Sequence, residues 1–379
     1  MFDYETMRLI WWALLGILLI GIAVMDGFDL GAAILLPVVA KTDTERRIVI
    51  NTVGPVWEGN QVWLILGAGA IFAAWPFVYA VSFSGFYLAM FLVLAALILR
   101  PVSFKFRSKV EDARWRAAWD AGLFVSGLVP ALIFGVAFGN VIEGVPFRFD
   151  DELRMAYEGT LFGLLNPFAL LCGLVSVAMI VLHGASYLAL KASGPVVDRA
   201  IGVAHIAALV AIVLFLLAGV WVAFGIEGYA IAQPIAHDGP SNPLAKTVTL
   251  HVGAWLANYR AMPWTMAAPV VAILALAAAP LLLRAGRAGL GFVASGVGVA
   301  GIIATAGLSL FPFMLPSSIE PKASLTAWDS SSSLLTLRIM LFVTAVFLPI
   351  IVIYTSWVYR VLRGPVTAAF VEGNSHSVY

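Results

Sequence analysis

Cysteine is nearly absent and charge is scarce. The single Cys172 among 379 residues excludes an intramolecular disulfide, and with it any cysteine-cluster metal or iron–sulfur site within the chain. Only 11% of residues are charged, against about 25% in a typical soluble domain, which excludes an ordinary soluble globular protein. The 22 Lys and Arg nearly balance the 21 Asp and Glu, so no basic surface is left for nucleic acid. A phosphate-binding Walker loop, a His-Glu-x-x-His zinc motif, a dinucleotide fingerprint and a Gly-x-Ser-x-Gly nucleophile elbow are all missing. No internal repeat is legible, and the only low-complexity stretch is Ser330–Ser333, where Asp329 or a neighbouring serine is the expected cap of the last helix. What remains is apolar residues, 62% of the chain, arranged in long runs. That composition implies a multi-pass membrane protein.

A spanning helix needs roughly 20 apolar residues. The runs place nine, near 7–39, 51–74, 77–100, 118–141, 160–190, 200–225, 262–283, 289–313 and 334–361. The fold class is therefore all-α. Runs such as Leu64–Ala74 and Leu88–Leu99 are apolar on every face, unlike the alternating strands of a membrane barrel. The first run is too long for one straight crossing, and Gly21, Gly27 and Gly31 are places where it could bend. Asp3 and Glu5 stand where a secretory signal would carry basic residues, so no cleaved signal is expected.

Lys and Arg fall in alternate loops. The connections after the first, third, fifth, seventh and ninth runs hold 15 of the 22, from Lys41, Arg46 and Arg47 through Arg100–Arg116 to Arg360 and Arg363. The positive-inside bias then places the N-terminus outside and the C-terminus in the cytoplasm. The two long outer loops, 142–159 and 226–261, have the size of small structured lids.

Asp26, Asp29 and Glu58 interrupt apolar spans. A charge at mid-bilayer costs several kcal/mol even on the lowest scales, so such residues are functional candidates, weighed against a bland role at hydrated span ends. With a rise of roughly 1.5 Å per residue, Asp26 lies about 28 Å from the outer start of span 1, and Glu58 about 10 Å from the cytoplasmic start of span 2. Arg100 closes span 3 at the same side. Asp26 and Asp29 share a helix face. Three acids against one arginine in a dry place leave at least one carboxyl expected to hold a proton, and a cluster open to the cytoplasm could take protons up. Asn60 and Gln61, inside Trp57-Glu58-Gly59-Asn60-Gln61-Val62-Trp63, are either interhelical glue or direct participants. His183 and His205 fall near the cytoplasmic ends of adjacent spans. They could face a haem iron, or simply be hydrogen-bonded interfacial histidines, and no distinctive motif surrounds them. A secondary transporter binding a coupling ion at the same acids is the competing functional class. Its usual inverted repeat and midplane site are not seen here.

Several motifs together carry a resemblance. They are Met25-Asp26-Gly27-Phe28-Asp29-Leu30-Gly31, Trp57 to Trp63, Ala73-Ala74-Trp75-Pro76, Arg100-Pro101-Val102, Gly135 to Asn140, Asn166-Pro167-Phe168, Phe311-Pro312-Phe313 and Ala323 to Asp329. The sequence resembles subunit II of the cytochrome bd-type quinol oxidases of bacterial respiratory chains, nearly end to end. The resemblance implies two four-helix bundles (residues 1–141 and 142–313) followed by a ninth helix and cytoplasmic tail (314–379), in the bacterial cytoplasmic membrane. It implies a heterodimer with a haem-bearing subunit I that carries two b-type haems and one d-type haem, in some cases with very small single-helix subunits. This chain is expected to bind no haem or metal firmly, with a structural quinone in some members. Quinol and O2 are the implied substrates of the complex. Asp29, Glu58 and Arg100 match positions on a cytoplasmic proton route, with Asp26 adjoining. Trp63 matches a position near an oxygen channel. Position 58 is Asp or Glu across the family and position 61 His or Gln, so Glu58 and Gln61 are within its range.

Overall fold

The computed structural model describes residues 2–233, 235–374 and 379. Its helices are α1 (Tyr4–Met25), α2 (Gly27–Val39), α3 (Asp43–Val53), α4 (Trp57–Ala74), α5 (Pro76–Gly85), α6 (Tyr87–Phe106), α7 (Ala113–Glu143), α8 (Pro167–Lys191), α9 (Pro195–Phe224), α10 (Ala257–Ala261), α11 (Ala267–Arg284), α12 (Ala288–Leu310), α13 (Leu334–Val361) and α14 (Ala368–Gly373). Among the described residues, eight helical stretches are long and apolar enough to cross a membrane, α1 and α2 counting as one from Tyr4 to Val39. The second expected span appears as α4, only 18 residues long and made less apolar by Glu58, Asn60 and Gln61 in its first turns. The third is divided at Phe86 into α5 and α6. The first is interrupted at Asp26, beside the predicted bend at Gly27.

α2 is the innermost element. Apart from Pro37 and Val38, its residues from Gly27 to Val39 are buried, with α7 and α8 packed against it. Small residues make this possible, because in a membrane helices gain from close backbone approach rather than from expelling water. A Cβ on Gly184 would lie 2.4 Å from the Gly31 carbonyl carbon, and one on Gly127 would lie 2.5 Å from the Leu30 carbonyl oxygen. α7 and α8 meet in the same way at Gly135 and Gly173, and α11 and α12 at Gly301 and Ala272.

The two long loops, 142–159 and 226–261, are structured. Each holds a two-stranded antiparallel sheet, β1 (Phe147–Phe149) with β2 (Met155–Tyr157), and β3 (Glu227–Ile231) with β4 (Val248–Val252). A third pair, β5 (Phe313–Leu315) with β6 (Leu325–Thr326), precedes α13. Arg8 fastens this end. It is fully buried in α1, its guanidinium 3.7 Å from the Tyr4 ring centroid. It donates to Ser331 Oγ (2.8 Å) and to the carbonyls of His237 (2.5 Å) and Gly239 (3.0 Å). Beside it Asp329 does not cap α13; it pairs with Lys246 at 2.7 Å and accepts from the Thr326 amide, while Ser333 caps α13. At the opposite end, a capping box of Thr42 and Glu45 starts α3, and Arg199 of α9 bonds Glu45 at 2.8 Å. That bond holds the Glu45 carboxyl below the usual carboxylate range. Arg107 and Arg46 converge there on Asp120.

Two outcomes are expected. Gly184→Ala forces α2 and α8 apart against backbone atoms and lowers the stability of the purified protein by about 1–3 kcal/mol, read as a drop in thermal midpoint, whereas Gly219→Ala, facing open space on α9, leaves it unchanged. Arg8→Met leaves the 237 and 239 carbonyls without their donor and makes the 236–246 loop more readily cut in limited proteolysis, with the membrane helices still protected.

Candidate functional site: the buried carboxylates at the α1–α2 junction

The interruption at Asp26 brings two carboxyls to one place. Asp26 lies between α1 and α2, and Asp29 follows one turn later on the same face. Both are about 1–2% exposed. From α6, Arg100, itself 1% exposed, sets Nη1 at 2.6 Å from Asp26 Oδ1 and Nη2 at 3.5 Å from Oδ2. A buried ion can persist only when paired and hydrogen-bonded, and Asp26 and Arg100 meet that condition for each other.

Asp29 has no such partner. Its Oδ2 accepts one hydrogen bond, from Asn60 Nδ2 at 2.8 Å, and its Oδ1 has none. Asn60 is 1% exposed, and its Oδ1 accepts in turn from the Tyr359 hydroxyl of α13 at 2.6 Å. On the other flank, Phe28 stacks on Tyr187 with centroids 4.1 Å apart, and the Tyr187 hydroxyl donates to the Thr52 carbonyl. The arrangement separates two jobs. Asp26 and Arg100 neutralise each other, while Asp29 is a dry carboxyl with a free oxygen and a polar chain leading away from it. Chemically, such a group can take and release a proton, since carrying the proton removes the cost of an unpaired buried charge.

Glu58 is elsewhere. Two residues along a helix turn about 200°, so with Asn60 directed inwards Glu58 is on the outer side of α4, exposed. It begins an exposed row with Val62, Ile65, Gly69 and Phe72, which repeats every three to four residues as a helix-packing seam does. Gln61 and Trp63 are half-buried on the flanks, and the Trp63 ring covers Gly21 of α1. Arg100 is bonded to Asp26 rather than to Glu58. Tyr359 and Tyr187 were not singled out from sequence: a tyrosine near the end of an apolar helix reads as an interfacial aromatic.

The two histidines each have partners of their own. His183, fully buried, bonds Ser295 Oγ (2.8 Å) through Nδ1 and the Val24 carbonyl (2.9 Å) through Nε2, and stacks on Phe292. Val24 is in the last turn of α1, where carbonyls lack intrahelical donors, so His183 braces the junction. His205 Nδ1 bonds the Ile201 carbonyl one turn back. Among the described residues, no group of three or more His, Cys, Asp or Glu side chains is placed to hold a metal.

Comparison with known proteins gives this geometry its setting. The family model for cytochrome bd terminal oxidase subunit II matches residues 7–362. The chain is 51% identical over 379 residues to the cytochrome bd-I ubiquinol oxidase subunit 2 of Escherichia coli, and 50% identical to a probable cytochrome oxidase subunit 2 of Haemophilus influenzae, covering both proteins completely. It is 28% identical over 354 residues to the cytochrome bd ubiquinol oxidase subunit 2 of Bacillus subtilis, covering 93% of this chain and 95% of that one. Its fold matches a chain of the bd oxidase of Geobacillus thermodenitrificans with a TM-score of 0.68, covering 94% of this chain and 98% of that one at 17% identity. With its apolar spanning helices and a match that runs through all of them, the chain is a multi-pass membrane protein and belongs to the cytochrome bd terminal oxidase subunit II family.

Proposed function

We propose that this chain is the haem-free subunit II of a quinol:oxygen oxidoreductase in the bacterial cytoplasmic membrane. In this role it supports a haem-bearing subunit I and conducts cytoplasmic protons towards the site of oxygen reduction. The observation that carries the proton role is Asp29, a fully buried carboxyl without a countercharge, next to an Asp26 already neutralised by Arg100.

The N-terminus is outside and the C-terminus in the cytoplasm, which puts the junction towards the proton-supplying side. Asp29 is the internal carrier, Arg100 and Asp26 form the fixed charge pair beside it, and Asn60 orients it. Glu58 is the handover group, on the face of α4 that receives subunit I. The exposure of the Glu58–Phe72 row supports that docking, as does α13, in which only Leu337 is buried. Trp63 and Gln61 flank the same face, where oxygen can approach along the subunit boundary. Very small single-helix subunits find room on the bare surface of α13.

The haems of subunit I supply the electron chemistry; nothing in this chain needs to. Quinol releases its protons outside and water is made with protons from the cytoplasm, so charge is separated without a pump. Each elementary charge moved against 100 mV stores about 2.3 kcal/mol. A quinone ring would need a polar anchor. The apolar groove lined by Leu171, Leu217, Val220, Trp221, Phe224 and Gly225 offers only the Trp221 indole, so no quinone step is assigned to it.

In the assembled complex, Asp29→Asn and Glu58→Gln are each expected to lower oxygen consumption and proton uptake by about 10- to 100-fold with haem content unchanged. Unchanged turnover in both variants contradicts the proton role. Copurification of a second large subunit with reduced b- and d-type haem bands tests the pairing; a tagged chain that purifies alone and colourless contradicts it.

A further inference from the structure

The polar chain from Asp29 ends on the last membrane helix. We propose that Tyr359 of α13 is a positioning residue of the proton path, its hydroxyl setting which way round the Asn60 amide faces Asp29. The inference rests on the proton role of Asp29 and adds to it a residue and a switching geometry.

An ionised carboxylate only accepts hydrogen bonds, so Asn60 must turn its NH2 towards it. Asn60 Nδ2 stands 2.8 Å from Asp29 Oδ2, which leaves the amide oxygen to the Tyr359 hydroxyl at 2.6 Å. When Asp29 gains a proton, the two oxygens offer different outcomes. A proton on Oδ1 has no acceptor, since that atom has no partner. A proton on Oδ2 has the amide oxygen, provided Asn60 turns over. The NH2 then faces Tyr359, whose oxygen accepts as readily as its hydroxyl donates. Tyr359, Asn60 and Asp29 therefore have two complete arrangements, one for each protonation state. Only a group that can both donate and accept allows both.

The surrounding groups are committed elsewhere. Asp26 and Arg100 are paired, and the Tyr187 hydroxyl donates to the Thr52 carbonyl. These three, with Asp29 and Tyr359 themselves, are the charged or titratable groups that act on Asp29 or Tyr359. Phenylalanine at 359 leaves one amide atom of the 1%-exposed Asn60 unpaired in either arrangement, so the exchange between the two states is impeded.

The test uses the assembled oxidase. Tyr359→Phe is expected to keep haem content and the KM for quinol and to lower turnover about five-fold at neutral pH. The deficit widens towards alkaline pH, where protons are scarce; a merely structural defect would be the same at every pH. The double variant Asp29→Asn/Tyr359→Phe is expected to be no slower than Asp29→Asn alone, because both act on one step. Losses that multiply, or a Tyr359→Phe enzyme equal to the parent at every pH while Asp29→Asn is slow, overturn the proposal and leave the proton role of Asp29 standing. An active Asp29→Asn enzyme removes both. If Tyr359→Phe does not assemble, Asn60→Leu decides: it removes the turning amide, so a deficit that widens towards alkaline pH supports the proposal, and an assembled Asn60→Leu complex equal to the parent at every pH overturns it.

Discussion

An unpaired charge in a dry helix bundle is the constraint on which the rest depends. Two aspartates three residues apart face a low-dielectric interior, and among the described residues the arginine that reaches them is Arg100, which bonds Asp26. One acid is compensated and the other is not. The compensated pair is a fixed local dipole. The uncompensated Asp29 is held by no salt bridge, only by the Asn60 amide. Its neighbours follow from this: an amide that can present either end, and a hydroxyl that can donate or accept.

That chemistry needs a rigid frame, and the frame comes from residues without polar atoms. α2 can be the innermost element because Gly31, Gly184 and Gly127 allow α7 and α8 within backbone contact. His183 then reaches the Val24 carbonyl and holds the end of α1 while Asp26 turns inwards. At the end where α1 begins, Arg8 ties α1 to the 237–241 loop and to Ser331. At the other end Arg107, Arg46 and Asp120 hold α3, α6 and α7 together. Arg100 with Asp26, Arg107 with Asp120 and Lys246 with Asp329 are ion pairs, and Arg8 is held by several hydrogen bonds. Asp29 differs from them in having no ion pair and a single hydrogen bond.

Much of this was legible beforehand, for physical reasons. Acids inside apolar runs are expensive, so Asp26, Asp29 and Glu58 stood out by rarity. The depth arithmetic brought Arg100 to their level. Helical angle alone places Asn60 and Glu58 on opposite sides of α4, yet which side faces the bundle depends on packing that spacing does not encode. The same holds for Arg100, whose choice of Asp26 over the other acids is a matter of rotamer and reach. Tyr359 was hidden because its local sequence is that of an interfacial aromatic, and its partner is 299 residues away. The two long loops were visible by their length, while their strand pairs depend on tertiary support that short two-stranded sheets need. The α4 span falls short in apolarity because it carries the polar residues of the site itself.

The central claim is that Asp29 changes its protonation as the enzyme turns over. The direct measurement is the infrared difference spectrum of the assembled complex between its oxidised and reduced states, in the carbonyl region of protonated carboxylic acids, with and without Asp29→Asn. The account predicts a carboxyl band that shifts on deuteration, is absent in Asp29→Asn and persists in Asp26→Asn. A band that survives Asp29→Asn and vanishes with Asp26→Asn would assign the moving proton to the residue described here as half of a fixed ion pair, and would contradict it.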